Sequence, residues 1–300
     1  MTTTSFSNDN SRDAWFVVRG YKYQIDHTIL RWLSLEEGQY LALECGEDVD
    51  IVNDLMAKQS TGIHRELEQI KYRESALTLR SVASREALAN AVMHRLNNPS
   101  INLLFRFCTN TDVSSERPPI FDDRRAGINV WEQIRTGRRR GRSAERDLAS
   151  ILRFLRNVGK PKKVSSESWQ HFEKSLSSIS ALDNLIQGFE WSYSQPDSAD
   201  ISETLKSVLI SSFNVSKPEI AYAWVFMGVI ECLSHRSQKR LTKENLLERL
   251  SQVAERSYEQ HEVRFVTEIV RELAKRVDRL EYTVQRHEYE LSVVKKSLLQ

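Results

Sequence analysis

The segment ECGEDVDIV, residues 44–52, carries four acids around a short apolar alternation, and QIK follows at residues 69–71. In an extended strand alternate side chains share a face, so Asp48 and Asp50 should project together, as should Gln69 and Lys71. If the two strands are neighbours, these four side chains converge. A carboxylate with further oxygen ligands is what a hard cation such as Mg2+ (or Mn2+) requires. That ion lowers the pKa of a bound water and offsets charge on a phosphorane-like transition state. Lys71 has a separate task in such a site, holding the attacking water and neutralising the scissile phosphate. Gln69 brings only a neutral carbonyl, so the negative charge must come from Glu44, Asp48 or Asp50. The metal candidates are Asp48, Asp50, Glu44 and Gln69, with Asp48 or Asp50 as the principal ligand, and Lys71 completes the catalytic set. As an isolated string the pattern more often describes a polar hairpin, so the surrounding elements decide its weight.

Tyr21, Ile25, Ile29 and Trp32 recur at four- and three-residue spacing, so GYKYQIDHTILRWLSL predicts an amphipathic helix that ends before Gly38. QYLALE, DVDIVN and RELEQIKY then read as three strands, SREALANAVMHRL as a helix and INLLFRFCTN as a buried strand. The expected order is αβββαβ. Past residue 115 the proline-containing SSERPPIFDDRR marks a connection, and strand signals become sparse. Amphipathic stretches near 143–158, 166–180, 201–213, 218–234 and 240–256, parted by GKPKK, YSQPDSAD and NVSKP, predict an all-α domain. From Val266 to Leu298 apolar positions alternate steps of four and three, with His287 as a departure, which predicts a coiled coil. The expected organisation is a polar tail at 1–13, an α/β core at 14–115, a helical domain at 116–258 and a coiled-coil helix at 259–300. Residues 262–299 would hold a homo-oligomer, and the alternative is a long helix packed on its own domain.

The chain has 300 residues, of which 40% are hydrophobic and 28% charged, enough for a sizeable core. Its 43 basic and 41 acidic residues nearly cancel, so a nucleic-acid signal must be local. Between Arg135 and Lys163 there are eleven Lys or Arg and two acids. Arg138, Arg139, Arg140, Arg142, Lys160, Lys162 and Lys163 are the candidates for phosphate contact, against the alternative of a solvated loop. Cys45, Cys108 and Cys232 lie far apart without metal-ligand spacing, which points away from zinc and disulfides and toward a reducing, cytoplasmic setting. No apolar run is long enough to span a membrane. No GxxxxGK[ST] phosphate loop occurs. His27 and His64 lack an evident orienting partner and read as structural.

The order helix, strand, strand with acid, strand with QxK, helix, strand resembles the common core of the PD-(D/E)XK nuclease superfamily, a restriction-endonuclease-like α/β fold. More specifically, GYKYQ, LECGEDVDIV, LEQIKYRESALTL and FRFCTNT resemble the double-stranded-DNA endonuclease effector domain of bacterial anti-phage defence systems of the CBASS-associated type. The resemblance covers residues 1–250, most closely 15–110. GINVWEQIR and IQGFEWSY are similar to the helical region that follows the nuclease in some members. It implies metal-dependent cleavage of duplex DNA with Asp48, Gln69 and Lys71 as core triad, and Glu44 or Asp50 as further acids. Gln24 on the first helix either approaches the site or packs, and Tyr21 and Tyr23 belong to the core or the substrate edge. Members often carry a cyclic-nucleotide sensor or an NTPase module after the nuclease, for which this chain has little space. Control is therefore expected from a regulatory partner protein of the same system or from self-assembly. The alternatives are an adaptor subunit on a nuclease fold, and a nuclease for RNA or branched DNA.

Overall fold

The computed structural model describes residues 15–53, 65–235 and 239–255. The described residues between 19 and 250 belong to one compact unit. The expected tail at 1–13 and the expected coiled coil at 262–299 lie outside the described residues. No described helix is long and apolar enough to cross a membrane.

The chain opens with α1 (Trp15–Leu33), β1 (Gln39–Leu43), β2 (Val49–Asn53), β3 (Arg65–Lys71), α2 (Val82–Asn97) and β4 (Leu103–Thr109). There follow α3 (Gly127–Arg135), α4 (Gly141–Asn157), α5 (Ser166–Ser175), α6 (Ile179–Gln187) and β5 (Phe189–Ser192). The described part closes with α7 (Ser198–Phe213), α8 (Pro218–Ser234), β6 (Arg240–Thr242) and α9 (Lys243–Glu255). The strands make one mixed sheet in the order β5-β4-β3-β2-β1-β6. β2 runs antiparallel to β1 and β3, whereas β3, β4 and β5 are parallel, joined by helical crossovers as parallel neighbours must be.

Register divides the sheet into two faces. Leu67 lies beside Phe105 and Phe105 beside Phe189, so these rings and Phe107 and Trp191 share one face. They pack with Leu88 of α2, Trp131 of α3, Ile151 of α4, Phe172 of α5 and Ile186 of α6 into a single buried cluster. On the other face Glu68 is fully buried, and α1 crosses it so that Arg31 Nε donates to Glu68 Oε2 at 2.8 Å. Arg106 of β4 meets Glu68 at 2.5 Å and Glu190 of β5 at 3.2 Å, which carries the ionic row across three strands. Burial would raise the Glu68 carboxyl, but Arg31 and Arg106 outweigh it and hold it below the usual glutamate range. The open edge of β5 is closed by α3, where Glu132 Oε1 accepts the Trp191 N–H at 2.8 Å.

Three expectations for the second half are corrected. It is not an all-α domain, because β5 and β6 join the two edges of the sheet, and the apolar cluster runs through residue 115 without a break. Strands of four and three residues carry too few alternations to register as a period. The stretch at 166–180 is two helices, α5 capped by Ser165 and α6 capped by Ser178. The stretch at 240–256 begins as a strand, where Leu41 pairs with Leu241, before it turns helical. The first helix also starts at Trp15 rather than Gly20, and its early residues Phe16, Val17 and Val18 are exposed, so no stripe announces them.

Candidate active site

The acidic segment is the turn between β1 and β2. Leu43 ends β1, Glu44 takes a left-handed backbone (φ 50°), and the chain folds back so that Glu44 N–H meets Asp48 O at 3.3 Å. Asp50 organises this turn from beneath. Its Oδ2 accepts the Gly46 N–H at 2.8 Å, its Oδ1 accepts the Glu47 N–H at 3.0 Å, and Arg65 of β3 closes the set at 2.5 Å. A Cβ at Gly46 would come within 2.9 Å of Leu67 Cδ2 and 3.0 Å of Asp50 Oδ2, so only glycine lets the turn lie this close. Asp50 is fully buried. Burial raises its carboxyl, and the turn amides and Arg65 pull it only part of the way back.

In this structure the Asp50 oxygens, expected as metal ligands, are engaged by the turn amides and by Arg65. Glu44 also stands apart, on the exposed side of the turn, where Lys239 holds its Oε2 at 2.5 Å.

Asp48 is placed differently. It sits one residue before β2, and its Oδ2 takes the Ile70 N–H at 2.7 Å, extending the β2–β3 ladder by a side chain. Lys71 Nζ approaches the same oxygen at 3.5 Å. Both side chains keep access to solvent, Asp48 at 20% and Lys71 at 45%. Burial still pushes the Asp48 carboxyl up, Lys71 and the Ile70 N–H counter it, and the charge of Glu47 adds to the rise. Gln69 lies two residues before Lys71 on the same strand face, half-buried, in register with Phe107. Its amide makes no side-chain hydrogen bond among the described residues. The structure thus unites Asp48 with Lys71, sets Gln69 on their strand face, and pairs Asp50 and Glu44 with Arg65 and Lys239 instead.

Two residues that the sequence reading passed over adjoin this group. Glu47 is 10% exposed, and His94 in the last turn of α2 brings Nε2 to 3.4 Å from its carboxylate. Glu47 was one of the four acids of the turn, but its period put it off the face of Asp48 and Asp50. Nothing local in SREALANAVMHRL marks His94.

Among the described residues no three or more His, Cys, Asp or Glu side chains are grouped to hold a metal ion. What remains is Asp48 Oδ1, outside the hydrogen bonds that occupy Oδ2, and the unengaged Gln69 carbonyl. One carboxylate with one neutral oxygen suits Mg2+, which keeps several waters and shares phosphate oxygens with its substrate. By chemistry alone, these oxygen donors are of the kind such an ion accepts.

The basic stretch separates into two groups. Arg139 pairs with Asp147, Arg140 Nε donates to Gly137 O at 2.7 Å, and Lys160 Nζ donates to Val164 O at 2.7 Å. Arg138, Arg142, Lys162 and Lys163 are exposed and make no side-chain bond among the described residues. Tyr23 and His27 are buried in α1 with ring centroids 4.5 Å apart, Tyr21 is exposed and Gln24 half-buried, while His64 lies outside the described residues. No protein-family model matches this chain, and no curated protein matches it.

Proposed function

We propose that this chain is a metal-dependent endonuclease that cuts double-stranded DNA with little sequence specificity, on a restriction-endonuclease-like core, as an effector of anti-phage defence. One observation carries the reading: Asp48 and Lys71, the acid and the lysine of the D…QxK pattern, meet at 3.5 Å within an αβββαβ order of elements. Asp48 and Gln69 would hold Mg2+ or Mn2+, which supplies an activated water and neutralises phosphate charge when bound. Lys71 places a point charge beside the scissile phosphate. The paired Asp48 keeps that ammonium in place before substrate arrives. Arg138, Arg142, Lys162 and Lys163 offer the backbone contacts that give non-specific, salt-sensitive binding. Residues 262–299 would join copies so that two sites address two strands, and that assembly, or a regulatory partner of the same defence system, would release the activity.

The second reading is an adaptor on a nuclease fold, favoured by the ion pairs that occupy Asp50 and Glu44. Plasmid DNA incubated with the wild type or Lys71→Ala, with Mg2+ or Mn2+ and an EDTA control, separates the two. Metal-dependent cutting lost in Lys71→Ala is the expected result. No cutting by wild type over a wide concentration range that includes its assembled form would favour the adaptor. Parallel RNA and branched-DNA substrates fix the substrate class.

A further inference from the structure

Arg73 stands two residues beyond Lys71, where QIKYR leaves the end of β3. A single side chain fixes its backbone from both sides: Arg73 N–H donates to Asn110 Oδ1 at 2.8 Å, and Asn110 Nδ2 donates back to Arg73 O at 2.9 Å. Asn110 directly follows β4, whose Thr109 is in register with Lys71. The clamp therefore holds Arg73 at the same end of the sheet as the Asp48–Lys71 pair.

The guanidinium is half-buried and donates to Ser75 Oγ at 3.2 Å. Its Nε is buried and has no acceptor among the described residues. Burial pushes its pKa down, and no carboxylate of the described residues opposes the effect. Arg31 of α1 and Arg65 and Arg106 of the sheet, half-buried like Arg73, each face an acid instead. A partly desolvated cation without a counter-charge among the described residues is unfavourable, and an arriving anion would relieve that cost at a position whose backbone is already fixed. The planar fork of arginine suits two oxygens of one phosphate, a geometry that the lysine point charge lacks.

We propose that Arg73 is a substrate-binding residue that grips a nucleic-acid backbone phosphate next to the one addressed by Lys71. The identity of the anion rests on the nuclease reading, whereas the anion-binding role rests on Arg73 alone. The test measures binding of a short fluorescent DNA duplex by anisotropy, without divalent metal, across a salt series for wild type, Arg73→Gln and Arg73→Lys. Arg73→Gln should bind roughly tenfold more weakly, with a salt slope smaller by about one, and Arg73→Lys should recover part of the loss. As a readout independent of any variant's folding, the Arg73 Nε–Hε resonance of the wild type should shift on addition of inorganic pyrophosphate. Equal affinity and equal salt slope in Arg73→Gln, or an unmoved Arg73 resonance, would overturn the proposal. Wild type that binds through Arg73 but never cuts with Mg2+, even over a concentration range that includes its assembled form, counts against the nuclease reading alone. Wild type that cuts, with Arg73→Gln unchanged in binding, defeats the Arg73 proposal alone.

Discussion

Asp50 separates a structural acid from a chemical one, and Asp50→Ala tests the distinction. The substitution strands the Gly46 and Glu47 N–H groups and deprives Arg65 of its partner. Breaking a fully buried pair from one side costs about 3–5 kcal/mol. Arg65 is 30% exposed, so water recovers part of that and about 2–3 kcal/mol remains. The two turn amides, partly rehydrated, add about 1 kcal/mol. The expected loss is about 3–4 kcal/mol, a fall in Tm of roughly 6–16 °C for a chain of this size class. Asp50→Asn keeps an acceptor and sheds a charge that burial disfavours, so it should recover part of the loss. The assay is thermal unfolding followed by circular dichroism in EDTA. A ligand at an open metal edge would be nearly neutral to remove under those conditions, and a Tm within about 2 °C of wild type would refute the clamp.

Gly46→Ala should destabilise by about 1–3 kcal/mol in urea titration, because its Cβ meets Leu67 and Asp50; an unchanged midpoint would contradict the close approach. Glu68→Gln leaves Arg31, 30% exposed, facing a neutral group while Arg106 keeps Glu66 and Glu190, and it should cost about 2–3 kcal/mol in the same titration. Because the folded Glu68 carboxyl lies below its unfolded value, its contribution is full above the glutamate range and is lost as pH falls from that range through the lower folded value. Burial lowers the His27 ring to about 4, so stability drops further as pH falls from the unfolded histidine value toward 4. Imidazole NMR should show His27 neutral until about pH 4, and protonation near 6.5 would contradict its burial.

Much of the first half was legible because its elements have long, clean periods. β1 to β4 and α2 fall where alternation and three-four spacing put them, since each buries a face against a neighbour. Asp48, Gln69 and Lys71 were legible by type and spacing, and the pairing of β2 with β3 brings Asp48 and Lys71 together. The roles of Asp50 and Glu44 were not legible, because their partners Arg65 and Lys239 are brought in by strand pairing, 15 and 195 residues away. Period two treats Asp48 and Asp50 as equivalent, yet one sits outside the strand with an open oxygen and the other beneath a turn. The two late strands escaped because they are short and become strands only where a finished sheet offers them an edge.

The central claim turns on Asp48, and Asp48→Asn tests it most directly. Asparagine can still accept the Ile70 N–H, and it removes a carboxylate that burial disfavours. Since the folded Asp48 carboxyl lies above its unfolded value, its ionised form is a cost at neutral pH, so the variant should be at least as stable as wild type there. The decisive measurement is single-turnover cleavage of duplex DNA with Mg2+ by wild type and Asp48→Asn at matched folded fraction. The account predicts that wild type cuts and that Asp48→Asn, fully folded, is slower by on the order of a thousandfold or more. Equal cutting by the two proteins would show that Asp48 is only a turn residue and would contradict the account.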